Sequence, residues 1–481
     1  MQYMALGRSA SNAVRLAEVV QVLVRHGFAD IVHRARFDQR LPARLMRMLQ
    51  RDQPSAPAAP VEPAGFGERT RAVLTDLGPT FVKLGQVLST RPDLVGPGLA
   101  RDLTQLQDRV PPVPFETVRP MIEEALKRPL SEAFAEFDGT PIASASLGQV
   151  YRATLHDGKQ VAVKVRRPGI ERKIDADLNL MRQLAGWVDE NMSELSWLDP
   201  PGVVDEFARS VRRELDLAIE ARVIQQFRRN FSEEPRVFIP EVYTDLSSSA
   251  VLTLDWIDGV RVDQYDAYEA RRCERPVVAE LGCEMLCRMV FAHHLFHADP
   301  HPGNVFITYD NQMAFLDFGM AGHLERPDVL AIADLFLAIM QQDSHLCVNA
   351  ILVLTTSEEP EDRIGLEHEM ADFLAFEAEM IVNNGMVARG LERATEIIRR
   401  HKLELAPRFS MLIKGLATIE RIGHELDPGL NVLPIMRPYV EEIIQERLSP
   451  AHLLRESQRN AALFMKLTQQ VPDDLGVLLS Q

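Results

Sequence analysis

Residues 293–304, HHLFHADPHPGN, bring four histidines, one aspartate and one asparagine into a single short stretch. Imidazole and carboxylate groups are common ligands of zinc and iron, so one interpretation is a transition-metal site. Carboxylate and amide oxygens are also the ligands of Mg²⁺ at sites that transfer phosphate. The rest of the sequence has to decide between these two kinds of chemistry.

Four residues at characteristic spacing favour phosphate chemistry. Asn304 follows Asp299 by five residues, and Asp317, in LDFG, follows Asp299 by eighteen. Asn304 and Asp317 can supply oxygen ligands to Mg²⁺, and Asp299 can place a catalytic carboxylate near the attacking oxygen. Lys164, in VAVKV, stands where kinase-like proteins hold the α- and β-phosphates of ATP. Together they predict a site for ATP and Mg²⁺.

Under this hypothesis the histidines have supporting roles. His293 and His297 fall one turn apart at the end of a predicted helix, and we interpret them as a structural pair that braces the loop. His301 lies inside the loop, where we expect it to support the ligands rather than to be one. Mg²⁺ prefers carboxylate and amide oxygens to imidazole nitrogens.

Two β-hairpins are predicted around these residues. GQVYRATL and QVAVKV are β-branched runs that flank HDGK, which indicates a turn at Asp157 and Gly158. NVFITYDNQMAFLDFG predicts a second hairpin, which turns at Asp310 and Asn311. The first hairpin would present Lys164, and the second would separate the catalytic loop from LDFG.

The remaining pattern completes a recognisable layout. Residues 170–232 and almost everything after residue 270 have helical periodicity, whereas residues 237–259 predict two more strands. A β-rich lobe followed by a helical lobe with one embedded hairpin is the layout of a protein kinase-like fold. The predicted class is therefore α+β, with a small β-rich N-lobe and a large helical C-lobe.

A phosphate-binding lysine on a strand needs a carboxylate from a neighbouring helix. The helix predicted after residue 200 offers Glu206, Glu214, Asp216 and Glu220. At the helical period of about 100° per residue, Glu214 lies nearest the apolar stripe, so we expect it to pair with Lys164. The alternative is that an arginine such as Arg213 pairs one of these carboxylates.

The loop expected to cover the phosphates departs from an ordinary kinase. It should read G-x-G-x-x-G, but residues 142–150 read IASASLGQV and contain a single glycine. Cβ atoms at Ala143 and Ala145 reduce backbone freedom and change how the loop approaches phosphate. The nucleotide-binding residues expected here are Ile142, Ala143, Ser144, Ala145, Ser146, Leu147, Gly148, Gln149 and Val150.

The catalytic loop and the segment after LDFG differ from a kinase as well. Ala298 precedes Asp299 where kinases place an arginine, and no A-P-E follows DFGMAGHLERPD. We therefore do not expect an activation segment that docks peptides.

With FVKLGQ upstream, these residues resemble the UbiB family of atypical kinase-like proteins, a bacterial and mitochondrial group associated with ubiquinone biosynthesis. The resemblance covers about residues 65–440. The matching motifs are K-x-G-Q at Lys83, Gly85 and Gln86, the alanine-rich loop at 143–146, E-x-D at Glu214 and Asp216, H-x-D-P-H-P-G-N at 297–304 and D-F-G at 317–319.

The resemblance implies that the K-x-G-Q helix folds over the place where a peptide would bind. It implies ATP hydrolysis, or transfer to a small or lipid-like acceptor, in support of lipid-quinone biosynthesis. Lys83 and Gln86 would face the γ-phosphate as catalytic residues that occupy the acceptor position and screen charge. Two alternatives stay open: a phosphotransferase for a small-molecule, lipid or protein acceptor, and a nucleotide-binding scaffold for biosynthetic enzymes.

Composition shifts and periodicity divide the chain into six predicted segments. They are a basic amphipathic helix region at 1–51, a Pro-rich linker at 52–64, a helical K-x-G-Q extension at 65–138, a kinase-like N-lobe with a long helical insertion at 139–258, a C-lobe at 259–450 and a helical tail at 451–481.

Charge is unevenly distributed along the chain. The net charge of −16 argues against nucleic acid as a partner, because a phosphate-backbone binder needs surplus Lys and Arg. Residues 1–51 nevertheless hold nine arginines against three acidic residues, with Val14, Val20, Val24 and Phe28 at helical spacing. One hypothesis is an amphipathic helix on an anionic membrane surface, and the alternative is a helix that packs on the next domain.

Cysteine usage and hydropathy bear on location. The four cysteines have no framework spacing, which favours a reducing compartment, and we interpret Cys283 and Cys287 as a buried structural pair. No secretory signal or spanning run is evident. We expect a peripheral protein on the cytoplasmic side of the inner membrane, with lipid-quinone intermediates and other quinone-biosynthesis proteins as partners. Members of the family often end in hydrophobic membrane helices, and two alternatives stay open here: a longer form of the chain that carries such helices, or a variant that its N-terminal helix holds at the bilayer.

Overall fold

The computed structural model describes residues 15–30, 65–89, 91–106, 110–191, 199–356, 360–385 and 387–449. The predicted linker, the predicted C-terminal tail and most of the basic segment lie outside the described residues. The chain divides into two compact units, which we call the mixed unit and the helical unit. The mixed unit is Met1–Glu274 with His297–Ala321, and the helical unit is Arg275–Phe296 with Gly322–Gln481.

Four helices begin the main body of the mixed unit. They are α1 (Phe66–Leu77), α2 (Pro79–Ser89), α3 (Pro92–Val95) and α4 (Pro97–Leu103). Gly78 separates α1 from α2, and its φ of 97° lies in a region that glycine enters without steric cost. Helix α1 packs on α2 and α4 around the buried side chains of Leu74, Leu77 and Leu103. The helix α2 of this bundle contains Lys83, Gly85 and Gln86, the residues of the K-x-G-Q motif.

The basic N-terminal segment packs on this bundle. Residues 15–25 are helical, and Val19, Val20 and Phe28 are buried, whereas Val24 is 41% exposed. Val19 and Phe28 belong to the same apolar cluster as Leu74. Of the two alternatives for this segment, the described residues therefore show a helix that packs on the next domain.

A five-stranded antiparallel sheet follows, built from β1 (Glu136–Phe137), β2 (Ala143–Ser144), β3 (Gly148–Thr154), β4 (Gln160–Arg166) and β6 (Val251–Asp255). The strand order is β1-β3-β4-β6, and β2 also pairs with β3. Strands β3 and β4 form the predicted hairpin, with Gly158 at a φ of 87° in the turn. Helices α5 (Phe115–Leu126) and α6 (Leu130–Ala133) bury their apolar residues against this sheet.

Three helices connect β4 to β6. They are α7 (Ile170–Asn191), α8 (Pro200–Leu215) and α9 (Leu217–Asn230). Helices α8 and α9 are separate because Asp216 between them has an extended backbone, with φ −95° and ψ 92°. The Asp216 side chain accepts a hydrogen bond from the Ala218 N–H and so caps the start of α9.

The second predicted hairpin lies in a four-stranded sheet of β5 (Val237–Phe238), β7 (Val260–Arg261), β9 (Val305–Ile307) and β10 (Met313–Phe315). The turn between β9 and β10 falls at Asp310 and Asn311, which have φ angles of 55° and 61°. Both predicted turn residues therefore adopt the left-handed conformation that a tight hairpin requires. Strand β10 also pairs in parallel with β5.

The helical unit begins with α10 (Arg275–Cys287) and a π-helical turn, Arg288–Ala292. It continues with α11 (Arg326–Gln341), α12 (Ser344–Leu354), α13 (Arg363–Asn384), α14 (Val387–Arg400), α15 (Pro407–Leu426) and α16 (Val432–Leu448). Helix α10 packs on α15 and α16. Cys283 and Cys287 are buried free thiols on α10, as predicted, and burial raises the pKa of Cys283 to about 12.

The two compact units differ from the lobes predicted from sequence. Residues 297–321, which fall in the predicted C-lobe, belong to the mixed unit because β9 and β10 pair with β7 and β5. Strands β8 (Leu295–His297) and β11 (Ala321–His323) form a two-stranded sheet. The boundaries between the two units fall within these strands, after Phe296 and after Ala321. In the described part of the chain, no helix combines the length and apolar character needed to span a membrane.

Candidate active site

Lys164 lies within β4, with its side chain on the face opposite the buried Val163 and Val165. Its Nζ lies 2.9 Å from both carboxylate oxygens of Glu220 and 3.1 Å from Oδ1 of Asp317. Burial disfavours the ammonium ion, but the carboxylates of Asp317 and Glu220 outweigh this and raise the pKa of Lys164. Lys164 is therefore held as a cation.

The prediction that Glu214 pairs with Lys164 is wrong. Lys164 pairs with Glu220 near the start of α9, whereas Glu214 Oε1 lies 2.5 Å from Nζ of Lys83. The prediction treated the segment as one continuous helix, but the break at Asp216 gives Glu220 a new helix and a new direction. An aspartate before a fresh apolar run is a helix-start signal, and this signal would have identified the break.

Lys83 reaches the site from α2. Gly85, two residues on, lies where an added Cβ would meet the terminal methyl groups of Leu106 and Leu74, so a larger residue there would require these leucines to move. Gln86 lies one turn beyond Lys83 on the same side of α2. Its side chain makes no hydrogen bond with the described residues, so the structure brings Lys83, but not Gln86, into a contact with the carboxylates.

The Asp317 carboxylate interacts with the charges of both Lys164 and Lys83. The charge of Lys164 holds the pKa of Asp317 well below its usual range, partial removal from water opposes this, and the charge of Lys83 lowers the pKa further. The backbone of Asp317 has a φ of 52°, which is uncommon for a residue with a Cβ and marks local strain. Its Oδ1 also accepts a hydrogen bond from the Gly319 N–H at 3.2 Å.

The ladder between β9 and β10 explains how Asn304 and Asp317 come together. Asn304 directly precedes β9 and Asp317 follows β10, and antiparallel strands place these two positions at the same end. The Leu316 N–H donates to the Asn304 carbonyl oxygen at 2.8 Å. The spacing of eighteen residues between Asp299 and Asp317 is thus the length of one hairpin and its flanking loops.

The loop that contains Asp299 is held by local hydrogen bonds. The Asn304 side-chain amide donates to the Asp299 carbonyl oxygen at 3.2 Å, and the Gly303 N–H donates to Nδ1 of His301. His297 is 1% exposed, and its ring nitrogens contact the Leu316 carbonyl oxygen and the Asp299 N–H. It therefore braces the loop as predicted, but from β8 rather than from a helix, which was the predicted element.

The predicted nucleotide loop is a tight hairpin between β2 and β3. The Ala145 N–H donates to the Gly148 carbonyl oxygen at 2.9 Å, and a Cβ on Gly148 would lie 2.9 Å from the Val165 carbonyl oxygen. Glycine is required at that position because β3 and β4 approach so closely. Among the predicted nucleotide-binding residues, the side chains of Ser146, Leu147 and Gln149 are buried, so these three can offer a ligand only their backbone.

The chemistry of the predicted ligands suits Mg²⁺. Asn304 and Asp317 would supply an amide and a carboxylate oxygen, and Mg²⁺ at phosphate sites takes one or two protein ligands with phosphate and water oxygens. Among the residues described by the structure, no group of three or more His, Cys, Asp or Glu side chains is arranged to hold a metal ion. The His297 ring nitrogens both contact backbone groups, which opposes a role as a metal ligand.

Comparison with known proteins gives consistent matches. The ABC1 atypical kinase-like domain matches residues 105–351, and the UbiB helical domain matches residues 383–431. A probable protein kinase UbiB from Marinobacter nauticus is 37% identical over 412 residues, 84% of this chain and 75% of that protein. The protein of the same description from Cellvibrio japonicus is 34% identical over 466 residues, 96% of this chain and 82% of that protein.

A solved structure, the complex of Rv3197 with erythromycin from Mycobacterium tuberculosis, aligns with a TM-score of 0.50 and 25% identity. The alignment covers 74% of this chain and 90% of that one. The fold and the site thus define an atypical kinase-like protein, with helices and strands in the predicted α+β arrangement. Within that class, the chain belongs to the UbiB family, which confirms the family resemblance identified from the motifs.

Proposed function

We propose that this protein is a Mg²⁺-dependent, kinase-like ATPase that supports ubiquinone biosynthesis at the membrane surface. The observation that supports this best is the cluster of alternating charge formed by Lys83, Glu214, Asp317, Lys164 and Glu220. Its two lysines come from two different elements, Lys83 from α2 and Lys164 from β4. Phosphates of ATP are suitable ligands for such a cluster because they can replace Asp317 as a partner of Lys164, while Glu220 continues to hold the ammonium group.

Each residue has a role in this proposal. Lys164 binds the α- and β-phosphates, and Glu220 orients its ammonium group. Asn304 and Asp317 hold Mg²⁺, which when bound neutralises phosphate charge. Asp299 accepts a proton from the attacking oxygen.

Lys83 is the residue that favours hydrolysis over transfer to a protein. Its charge lowers the pKa of Asp317, the proposed metal ligand, and its Nζ pairs with Glu214. In this proposal Lys83 screens the charge of the γ-phosphate, and α2 covers the place where a peptide acceptor would bind. Water or a small acceptor remains the fitting partner for ATP.

The fate of the γ-phosphate tests this proposal. Purified protein is incubated with γ-labelled Mg-ATP, liposomes and a cell lipid extract, and free phosphate is separated from phosphorylated organic products. We expect free phosphate from the intact protein, and at least a hundredfold less from Asp317→Asn, since losing a metal ligand of this kind removes most of the charge stabilisation.

Two other outcomes would identify a different activity. Label on an organic product that disappears with Asp299→Asn would show a phosphotransferase and name its acceptor. Tight binding of Mg-ATP with no turnover under any of these conditions would indicate a nucleotide-binding scaffold. For the biosynthetic role, cells that depend on the Asp317→Asn variant are expected to contain less ubiquinone than cells with the intact protein.

A further inference from the structure

Arg167 is a largely buried arginine directly after β4, with 9% of its surface exposed. Its Nε donates to the Ala145 carbonyl oxygen and its Nη2 donates to Oγ of Ser144, both at 2.7 Å. Its own N–H donates to the Leu147 carbonyl oxygen at 2.9 Å. Arg167 thus contacts Ser144, Ala145 and Leu147, three residues of the predicted nucleotide loop at 142–150.

The same guanidinium group also binds a second segment. Nη2 lies 3.0 Å from the Pro111 carbonyl oxygen and 3.2 Å from the Val110 carbonyl oxygen. We call residues 110–113, which lead from the α4 region into α5, the strap. A planar guanidinium group can serve several oxygens at once, whereas a lysine ammonium in the same place could not span them.

Gln149 ties the strap to the other side of the loop. Its amide oxygen accepts from the Val113 N–H at 2.6 Å, and its amide nitrogen donates to the Val113 carbonyl oxygen at 3.2 Å. The same nitrogen donates to the hydroxyl of Tyr151. The strap is therefore connected to the nucleotide loop at both of its ends, directly through Gln149 at Val113 and through Arg167 at Val110 and Pro111.

We propose that Arg167 is a positioning residue that holds the nucleotide loop in one preformed conformation and couples it to the strap. The sequence of the loop explains why such a residue is needed. Glycine loops reshape around phosphate, but Ala143 and Ala145 restrict such movement, so the loop has to be built in its binding geometry. Arg167 supplies that geometry through charge-assisted hydrogen bonds, and preorganisation of this kind raises affinity by lowering the cost of ordering.

The proposal rests on the proposed function only in that the loop binds a nucleotide, and its test does not require turnover. Arg167→Ala and Arg167→Lys are compared with Arg152→Ala, a control on β3 whose side chain contacts Trp256 and Gln160 instead of the loop. Hydrogen exchange of residues 143–148 is measured without nucleotide, and the Kd for Mg-ATP is measured by equilibrium binding. Where turnover is detected, kcat and KM are separated.

We expect faster exchange in the loop and a Kd for Mg-ATP about tenfold weaker in Arg167→Ala, with a smaller change in Arg167→Lys and none in the control. KM should rise while kcat changes little, because Arg167 is not expected to touch the γ-phosphate. Folded Arg167→Ala protein with unchanged loop exchange and unchanged affinity would overturn the proposal.

A second variant covers the case in which Arg167→Ala does not fold. Ser144→Ala removes one acceptor while it keeps the buried arginine, and the same exchange and Kd measurements then decide. Faster loop exchange with weaker binding supports the proposal, and wild-type values contradict it. Failure of the ATPase proposal appears differently, as intact loop protection and intact binding without turnover.

Discussion

Lys164 lies between two carboxylates that are expected to have different functions. Glu220 is 5% exposed and bonds the ammonium through both oxygens, whereas the Asp317 side chain is 52% exposed and uses one. Glu220, the buried partner, can orient Lys164 both before and after nucleotide binds. Asp317, the exposed partner, can release Lys164 and bind a metal ion instead. This difference in burial is the physical basis for assigning Glu220 to positioning and Asp317 to the metal.

The first prediction separates Glu220 from Glu214. Glu220→Gln removes the buried charged partner of Lys164 and leaves the ammonium only Asp317, so it is no longer oriented toward the phosphates, and we expect Mg-ATP affinity to fall about tenfold or more. Glu214→Gln is the matched control, since it disturbs Lys83 instead and should leave the Lys164 pair intact. Equal losses of nucleotide affinity in the two variants would contradict the assignment.

A second prediction concerns the protonation of Asp317. Lys164 lowers the pKa of this carboxyl, so its stabilising contribution is present above the usual aspartate pKa and is lost only as pH falls through the depressed value. Acid should therefore not weaken folding through Asp317 between pH 7 and about 4. In Lys164→Met the pKa of Asp317 should rise toward its ordinary value, which titration by NMR of the carboxyl carbon would detect.

At the scale of the elements, α2 is held by the N-terminal helix. Asp177 on α7 is fully buried, and it accepts hydrogen bonds from Nε of Arg15 at 2.6 Å and from the hydroxyl of Thr80 at the start of α2. Arg15 also donates to the Leu77 carbonyl oxygen at the end of α1. One buried carboxylate thus connects α7, α2 and the N-terminal segment, and Lys83 depends on this arrangement for its position.

A third prediction tests that connection. Asp177→Asn removes the buried carboxylate partner of Arg15 and leaves it only the exposed Glu18 as a counter-charge, so it should lower the free energy of unfolding by about 3 kcal/mol. Asp205→Asn breaks an exposed pair with Arg182 and should cost less than about 1 kcal/mol. Urea unfolding of both variants measures the difference, and similar midpoints would show that Asp177 does not hold the helix.

At the scale of the whole molecule, the stability of the helical unit should depend on pH through one buried carboxyl. Glu420 on α15 is 6% exposed, and burial raises its pKa to about 7 although the Ala388 N–H donates to it at 2.7 Å. Glu392 raises the pKa further, and Nε2 of His424 lies 3.9 Å away. The folded state thus holds a proton that the unfolded chain releases near pH 4.5.

A fourth prediction follows from the sign of this shift. Between about pH 4.5 and 7 the folded state binds more protons at Glu420 than the unfolded state, so this contribution to stability is full at low pH and is lost as pH rises. The size of the loss is on the order of 3 kcal/mol. Glu420→Gln should abolish this loss of stability with rising pH, so its melting temperature at pH 8 should be higher than that of the intact protein. A variant with the unchanged pH profile would refute the role of Glu420.

The chain alone was enough to predict the local features. Turn residues such as Asp157-Gly158 and Asp310-Asn311 have conformational preferences of their own, so both hairpins were predicted correctly. The position of Lys164 follows from the alternation of side chains along a strand. Asn304 and Asp317 flank the two strands of one hairpin at its open end, and both kinds of geometry are regular over short distances. Such features depend on neighbours within a few residues, and a sequence displays those directly.

Tertiary structure decided the pairings between distant elements. The choice of Glu220 over Glu214 depended on a helix break at Asp216, and the clamp of Arg167 depended on a strap more than fifty residues earlier in the chain. The apolar face of the N-terminal helix suited either a membrane or a protein surface, and packing against α1 determined which is seen in the described residues. A sequence shows which helix face is apolar and which residues are charged. It does not show which element each of them contacts, because the packing of the elements determines those contacts.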